Sequence, residues 1–281
     1  MASREGAVAP HSYPFEVISL VWHSLLRIVR RPSHSRRAEA SRHWARRSLL
    51  LTAILAAAIV ALMYVLDAFE IGLMPPRGTA GLWPVRILTD FGKSTYVLWT
   101  LAAILIAFAL MLPRLRGVRR SVLIGLGTRV QFVFLAVLLP VLAGEVIKGM
   151  IGRGRPFVGG VADPFNFSLF SWKEAYSSFP SGHATTAFAL AFAVSVVWPR
   201  ARTAMIVYAL LIAGSRLVLL AHHPSDVVAG ALMGVIGAMA VRYWFAARRL
   251  AFSIRRDGHI DPLPGASWDQ LKKVAGKAIA P

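Results

Sequence analysis

Apolar residues along this chain gather into long runs, at about 48–66, 95–112, 122–146, 184–198, 203–221 and 227–246. Each approaches the roughly 20 residues that a helix needs to cross the hydrocarbon core of a bilayer. The pattern predicts an all-α fold: a polytopic membrane helical bundle with about six transmembrane helices. The third run is long enough to tilt or to extend past the membrane. The fourth is the shortest and is expected to begin before Ala184.

A different pattern precedes the first run. Phe15, Ile18, Val21, Trp22, Leu25, Leu26 and Val29 recur at helical spacing, among Arg27, Arg30 and Arg31. That spacing predicts an amphipathic helix lying on an anionic leaflet. Arg36, Arg37, Arg42, Arg46 and Arg47 follow, and for the part after Pro32 a basic arm without fixed structure is an equal reading. Three regions result: a basic cytoplasmic N-terminal arm, 1–47; a six-span membrane domain, 48–246; and a cytoplasmic tail, 247–281, to whose Trp268 and Lys272 no role is assigned. No cleavable signal peptide is expected, because the first apolar run lies deep in the chain behind many arginines. Gly230 and Gly234 form a GxxxG in the last run, which reads as close helix packing.

Composition strengthens the membrane reading. Hydrophobic residues make up 56%, mean hydropathy is +0.58, and only 16% are charged, well below the usual quarter. The net charge of +19 and pI near 11.5 would suit a nucleic-acid binder, but the basic residues sit in short clusters between apolar runs. Arg114, Arg116, Arg119 and Arg120, then Arg200 and Arg202, then Arg242, Arg248, Arg249, Arg255 and Arg256 all fall on one side if the spans alternate. The positive-inside rule makes that side cytoplasmic, with both termini. The expected location is the cytoplasmic (inner) membrane, with 67–94, 148–182 and 222–226 on the outer, extracytoplasmic side and no nucleic acid as partner. Trp83 and Trp99 then lie near the outer surface, and Trp198 and Trp244 near the inner one. The absence of cysteine excludes disulfides, thiolate nucleophiles and Cys-ligated metals.

Three outer stretches carry candidate chemistry. Lys148, Arg153 and Arg155 could each be a snorkelling anchor, yet they stand where basic residues are disfavoured. Pro180-Ser181-Gly182-His183 opens the fourth span. There Ser181 suits an N-cap, Gly182 leaves room for a ligand, and the free N–H groups and dipole favour an anion beside His183. An ordinary cap with an interfacial histidine is the plain alternative. Ser215-Arg216 closes the fifth span, and His222-His223-Pro224-Ser225-Asp226 turns into the sixth, which should start after His223 because Pro224 suits the first helical position. A histidine held by a carboxylate suits a nucleophile or a base. A capping Asp with incidental histidines is the competing reading of that stretch alone. Together the stretches supply cations, a helix N-terminus, two histidines and a carboxylate on one membrane face.

The pattern Lys148-x6-Arg155-Pro156, Pro180-Ser181-Gly182-His183, Ser215-Arg216-x5-His222-x3-Asp226 resembles the three-part signature of the type 2 phosphatidic acid phosphatase (PAP2) superfamily, bacterial membrane type, without departure at the named positions. Its spacing selects His222 over His223. The resemblance implies a hydrolase in which His222 forms a phosphohistidine, Asp226 orients His222 and stabilises its charge, and His183 protonates the leaving alkoxide and then activates water. It implies that Lys148, Arg155, Ser181, Gly182 and Arg216 bind the phosphate, with no metal and no cofactor. Consistently, there is no HExxH and no acidic cluster on the outer face. The expected substrates are membrane lipids: phosphatidic acid, phosphatidylglycerol phosphate, a polyprenyl pyrophosphate or lipid A phosphate. The outer segment 158–178, with Phe157, Phe165, Phe167, Phe170 and Trp172, reads as a lid or lipid entrance or, at least equally, as a loop resting on the interface. Lys93, near the outer end of the second span with Asp90, is a further headgroup candidate. The rivals are a lipid phosphotransferase using the same site, a non-catalytic headgroup-binding or transport protein, and a vanadate-dependent haloperoxidase, against which the apolar spans count.

Overall fold

The computed structural model describes residues 12–160, 163–255 and 257–263. Nine α-helices occur among them: α1 (Tyr13–Val29), α2 (His34–Val65), α3 (Asp67–Leu73), α4 (Trp83–Asp90), α5 (Ser94–Met111), α6 (Gly117–Ile151), α7 (Gly182–Val197), α8 (Arg202–Val218) and α9 (Pro224–Ala247). A short antiparallel pair, β1 (Phe252–Ile254) and β2 (Ile260–Pro262), follows α9. This is the all-α polytopic bundle that the apolar runs predict, each run forming the body of one helix. Five helical segments are long and apolar enough to cross a membrane, and the sixth apolar helix, α7, is shorter. At 16 residues α7 spans about 24 Å, less than the roughly 30 Å hydrocarbon core.

The N-terminal region is more ordered than an arm. Helix α2 begins at His34 and runs unbroken to Val65, so the arginines after Pro32 are helical, and the boundary expected at 47/48 falls inside a helix. Helix α1 has no buried residue, and Ile18, Val21, Trp22 and Leu25 are exposed on it, as an interfacial amphipathic helix requires. It lies against three other helices. The Tyr13 hydroxyl donates to the Leu110 carbonyl, Ser24 bonds Gln131 at 3.2 Å, and Trp244 Nε1 donates to the Ile28 carbonyl at 3.1 Å. Trp268 and Lys272 lie outside the described residues.

Glycines set how closely the helices meet. A Cβ on Gly230 would lie 2.4 Å from the Ser181 carbonyl oxygen, and one on Gly234 would lie 2.4 Å from that of Thr185. Lipid tails are as apolar as side chains, so close backbone packing holds such helices together. The expected packing role of the GxxxG is therefore filled by α7, whose first turns rest on α9. Deeper in the bundle, Phe132 of α6 packs edge-on against Phe245 of α9 and Phe252 of β1, with ring centroids 5.4 and 4.8 Å apart. This contact locks the β pair beneath the end of the bundle.

Helix alternation brings the end of α6, the start of α7, the end of α8 and the start of α9 to one end of the bundle. The arginine-rich connections α5–α6 and α7–α8, and the end of α9, lie at the other.

Candidate active site

The site is built where four helices begin or end. Helix α6 stops at Gly152, which adopts left-handed φ 57° while its N–H bonds the Lys148 carbonyl at 2.9 Å. A Cβ there would sit 1.7 Å from the Ser168 carbonyl oxygen, so only glycine allows both the backbone turn and the approach of the outer loop. That loop is then pinned back: Ser168 N–H donates to Gly152 O at 2.7 Å, and Gly154 N–H to Asn166 O at 2.8 Å. Its Phe165, Phe167, Phe170 and Trp172 are exposed, as residues resting on an interface would be.

One turn before its end, α6 aims Lys148 at the start of α7. A Cβ on Gly182 would lie 2.9 Å from Lys148 Nζ, so glycine lets the ammonium reach the helix N-terminus. Ser181 occupies the N-cap position as expected, but its side chain makes no capping bond, and its buried hydroxyl has no partner among the described residues. Arg155 Nε, His183 Nε2 and Arg216 Nε are likewise buried without partners. Four polar atoms without partners, three of them on residues around one cavity, are what an anion site holds ready.

The cavity has a volume of about 540 Å³, and Lys148, Arg155, Gly182, His183, Arg216 and His222 all line it. Lys93 and Asp90 do so as well, paired with each other at 2.8 Å. Glu145 pairs with Lys148 at 2.5 Å, and Glu174 with Arg155 at 3.6 Å. Among the described residues no carboxylate pairs with Arg86 or Arg216, which keeps the wall net positive. Arg216 is fixed by a 2.9 Å hydrogen bond from Nη1 to Thr89 of α4.

His222 is the only one of the two adjacent histidines that lines this cavity. Its Nδ1 lies 2.8 Å from the Ser178 carbonyl oxygen. A carbonyl only accepts, so Nδ1 carries the proton and Nε2 is left with its lone pair. Burial drives the pKa of His222 well below the ordinary imidazole value, and the positive charges of Arg216, Arg155 and Lys148 push the same way. The imidazole is therefore neutral at physiological pH, the form in which a ring nitrogen can attack phosphorus.

Comparison with known proteins identifies the family. Residues 129–250 match the model of the PAP2 superfamily. The chain is 32% identical over 179 residues to a lipid A 1-phosphatase of Rhizobium johnstonii, covering 62% of this chain and 71% of the relative. A lipid A 1-phosphatase of Rhizobium etli is 35% identical over 127 residues, 45% of this chain and 55% of the relative. Phosphatidylglycerophosphatase B of Escherichia coli K12 is 41% identical over 81 residues, 27% of this chain and 32% of that protein. No solved structure matches at comparable significance. The chain belongs to the PAP2 superfamily. It is a bacterial-type lipid phosphatase, a phosphoric ester hydrolase built as a multi-pass membrane protein.

In this PAP2 phosphatase Asp226 stands behind the cavity. Its carboxylate is fully buried and lies 3.9 Å from His222 Nδ1, too far for a hydrogen bond. Instead, Oδ2 accepts from Ser178 Oγ at 2.6 Å and from the His223 N–H at 2.9 Å, and Oδ1 accepts from Arg153 Nη1 at 2.6 Å. Asp226 is thus joined to His222 by a relay, in which Asp226 holds Ser178 and the Ser178 carbonyl holds His222.

Arg153 organises this relay. Completely buried, it also donates to Asp67 Oδ2 at 2.8 Å, to Ser225 Oγ at 2.6 Å and to the Pro164 carbonyl. Asp67 in turn accepts from the Ser225 backbone N–H at 2.9 Å. The snorkelling reading fails for this residue, because a guanidinium enclosed between two carboxylates ties α3, the outer loop and α9 together. Removing one partner of such a buried pair costs about 3–5 kcal/mol. Asp67, Ser178, Ser225 and Thr89 carry no motif signal. Only the placement of Arg153 on the side where basic residues are disfavoured pointed to this cluster.

Proposed function

We propose that this chain hydrolyses a lipid phosphate monoester or pyrophosphate at the extracytoplasmic face of the inner membrane, through a phosphohistidine on His222 and without a metal. The observation that carries the reading is the tautomer of His222. Its Nδ1 proton is committed to Ser178, which leaves Nε2 free in a cavity lined by Lys148, Arg155, His183 and Arg216.

In this scheme Nε2 attacks phosphorus, the P–O bond to the lipid breaks, and His183 gives its proton to the departing oxygen. His183 then takes a proton from water, whose oxygen displaces the phosphoryl group from His222 and releases inorganic phosphate. An arriving phosphate supplies the negative charge that favours a protonated His183 among so many cations. Lys148, Arg155, Arg216, the Ser181 hydroxyl and the backbone N–H groups at Gly182 and His183 hold the non-bridging oxygens, where charge sits in the transition state. Asp226 acts on His222 through Ser178 and lies near enough to stabilise the positive charge of the intermediate. The phosphate-binding groups are all cationic or neutral donors, which supports a mechanism without a bound cation.

A lipid substrate suits a site at the buried start of α7, because the headgroup can enter while the tails stay in the bilayer. Relatives named for lipid A 1-phosphatase activity support lipid A phosphate as the substrate, ahead of phosphatidylglycerol phosphate, phosphatidic acid and polyprenyl pyrophosphate. The arginine distribution supports an extracytoplasmic site and cytoplasmic termini, and the basic N-terminal region supports contact of α1 with an anionic leaflet.

The test is phosphate release from these four lipids in detergent with EDTA present, using wild type, His222→Ala and Arg216→Ala. Undiminished release with EDTA and fastest turnover of lipid A phosphate are expected. Arg216→Ala should lose on the order of 10²–10³ in turnover, and His222→Ala more. Release abolished by EDTA, or unchanged in His222→Ala, would overturn the mechanism.

A further inference from the structure

A second basic cavity lies at the opposite end of the bundle. Helix α9 runs from the candidate active site at Pro224 to Ala247, and its 24 residues cover about 36 Å. At its far end a cavity of about 450 Å³ is lined by Arg31, Arg37, Trp44, Tyr243 and Arg248, and no acidic residue lines it. Among the described residues, no ion pair involves Arg31, Arg37 or Arg248.

Several polar groups here are buried but unsatisfied. Tyr243 is 3% exposed, and its hydroxyl has no partner; Trp44 Nε1 and Arg248 Nε are also unpartnered. Arg248 is held in place, its guanidinium 3.5 Å from the Trp244 ring centroid and its carbonyl accepting from Arg30 Nη2 at 2.9 Å. Burial lowers the pKa of Arg248, and Arg37 and Arg30 add to the effect, so like charges are gathered here without a counter-charge. Helix α2 begins beside them at His34, and a helix N-terminus also favours an anion.

An apolar cavity of about 760 Å³ adjoins this basic one. The two share Ala240 and Trp244, and the larger continues along α6 and α9 past Leu139, Met233 and Leu232. A cationic pocket that opens into an apolar slot between membrane helices has the shape and charge of an anionic lipid.

We propose that this joined cavity binds one anionic diacyl phospholipid, its phosphodiester among Arg31, Arg37, Arg248 and Tyr243 and an acyl chain in the slot between α6 and α9. Its basic end is separate from the candidate active site, its apolar slot reaches Phe179 and Pro180 beside that site, and the proposal does not depend on the mechanism proposed above. A phosphodiester lipid bound there fastens α1, α2 and α9 to each other at the end of the bundle.

The test uses full-length protein, stripped of lipid in detergent and titrated with palmitoyl-oleoyl phosphatidylglycerol, the matching phosphatidylcholine, and inorganic phosphate, with bound lipid counted by native mass spectrometry. One phosphatidylglycerol should be retained at concentrations where phosphatidylcholine is not, and inorganic phosphate should not displace it. In an Arg31→Gln/Arg37→Gln variant, at two exposed positions far from the candidate active site, affinity should fall about 30-fold, with phosphatase turnover retained in detergent. Ala240→Leu, which narrows the junction of the two cavities, should also weaken retention and carries the test if the arginine variant does not fold. Equal retention of phosphatidylcholine, displacement by inorganic phosphate, or unchanged affinity in the variants would overturn the proposal.

Discussion

Two neighbouring histidines, His222 and His223, end up in different surroundings. His222 lines the cationic cavity, while the His223 ring is wholly buried and neither of its nitrogens has a partner among the described residues. A second buried titratable group, Glu70 of α3, is 5% exposed, and both its carboxyl oxygens lack partners. Burial raises its pKa from the ordinary 4.5 to about 7, and the charge of Asp67 adds to this. Between those values the folded protein holds a proton that the unfolded chain has released, so stability is full below about pH 4.5 and is lost as pH rises through about 7. Glu70→Gln keeps the shape of the neutral acid. It should leave the thermal midpoint in detergent unchanged at pH 4 and raise it at pH 8; a lowered midpoint at pH 8 would contradict this account. The sequence made Lys148, Arg155, Gly182, His183, Arg216 and His222 legible because each sits in a motif of fixed spacing. Glu70, Asp67, Ser178, Ser225 and Thr89 are single polar residues in connecting segments, and only the folded chain shows what they touch.

At the scale of elements, the spacing between α7 and α9 sets the site, because Ser181 through Thr185 rest on Gly230 and Gly234. A side chain at Gly234 would push directly on α7 backbone. Gly234→Val should therefore cost about 1–3 kcal/mol through overpacking, and a shift near 1 Å in the first turn of α7 should lower turnover by about 10². Gly214→Ala in α8, where a Cβ meets nothing within 4 Å, is the control and should change neither. Turnover and thermal midpoints of both variants check this, and an unaffected Gly234→Val would contradict it. The six apolar helices were legible from hydropathy alone. The start of α2 at His34 was not, because its first turns are arginine-rich and polar, and their helicity shows no apolar run. The link from Asp226 to His222 was not legible for a related reason: spacing cannot show that Ser178, from another segment, bridges the two.

Across the whole molecule, charge divides the two ends of the bundle. One end gathers Lys148, Arg155 and Arg216 around a helix N-terminus and neutral His222; the other carries the arginine-rich connections and the basic cavity beside Trp244. The first end has the donors and the unprotonated nitrogen for phosphoryl transfer, and the second holds Arg31, Arg37 and Arg248 around its own cavity. The most direct test of the catalytic half is to trap the intermediate. Wild-type protein mixed with a radiolabelled lipid phosphate and quenched in alkali within milliseconds should carry an acid-labile, alkali-stable phosphoryl group, located by peptide mass spectrometry on His222 and missing from His222→Ala. Label on His183, or none on protein that is visibly turning over, would contradict it.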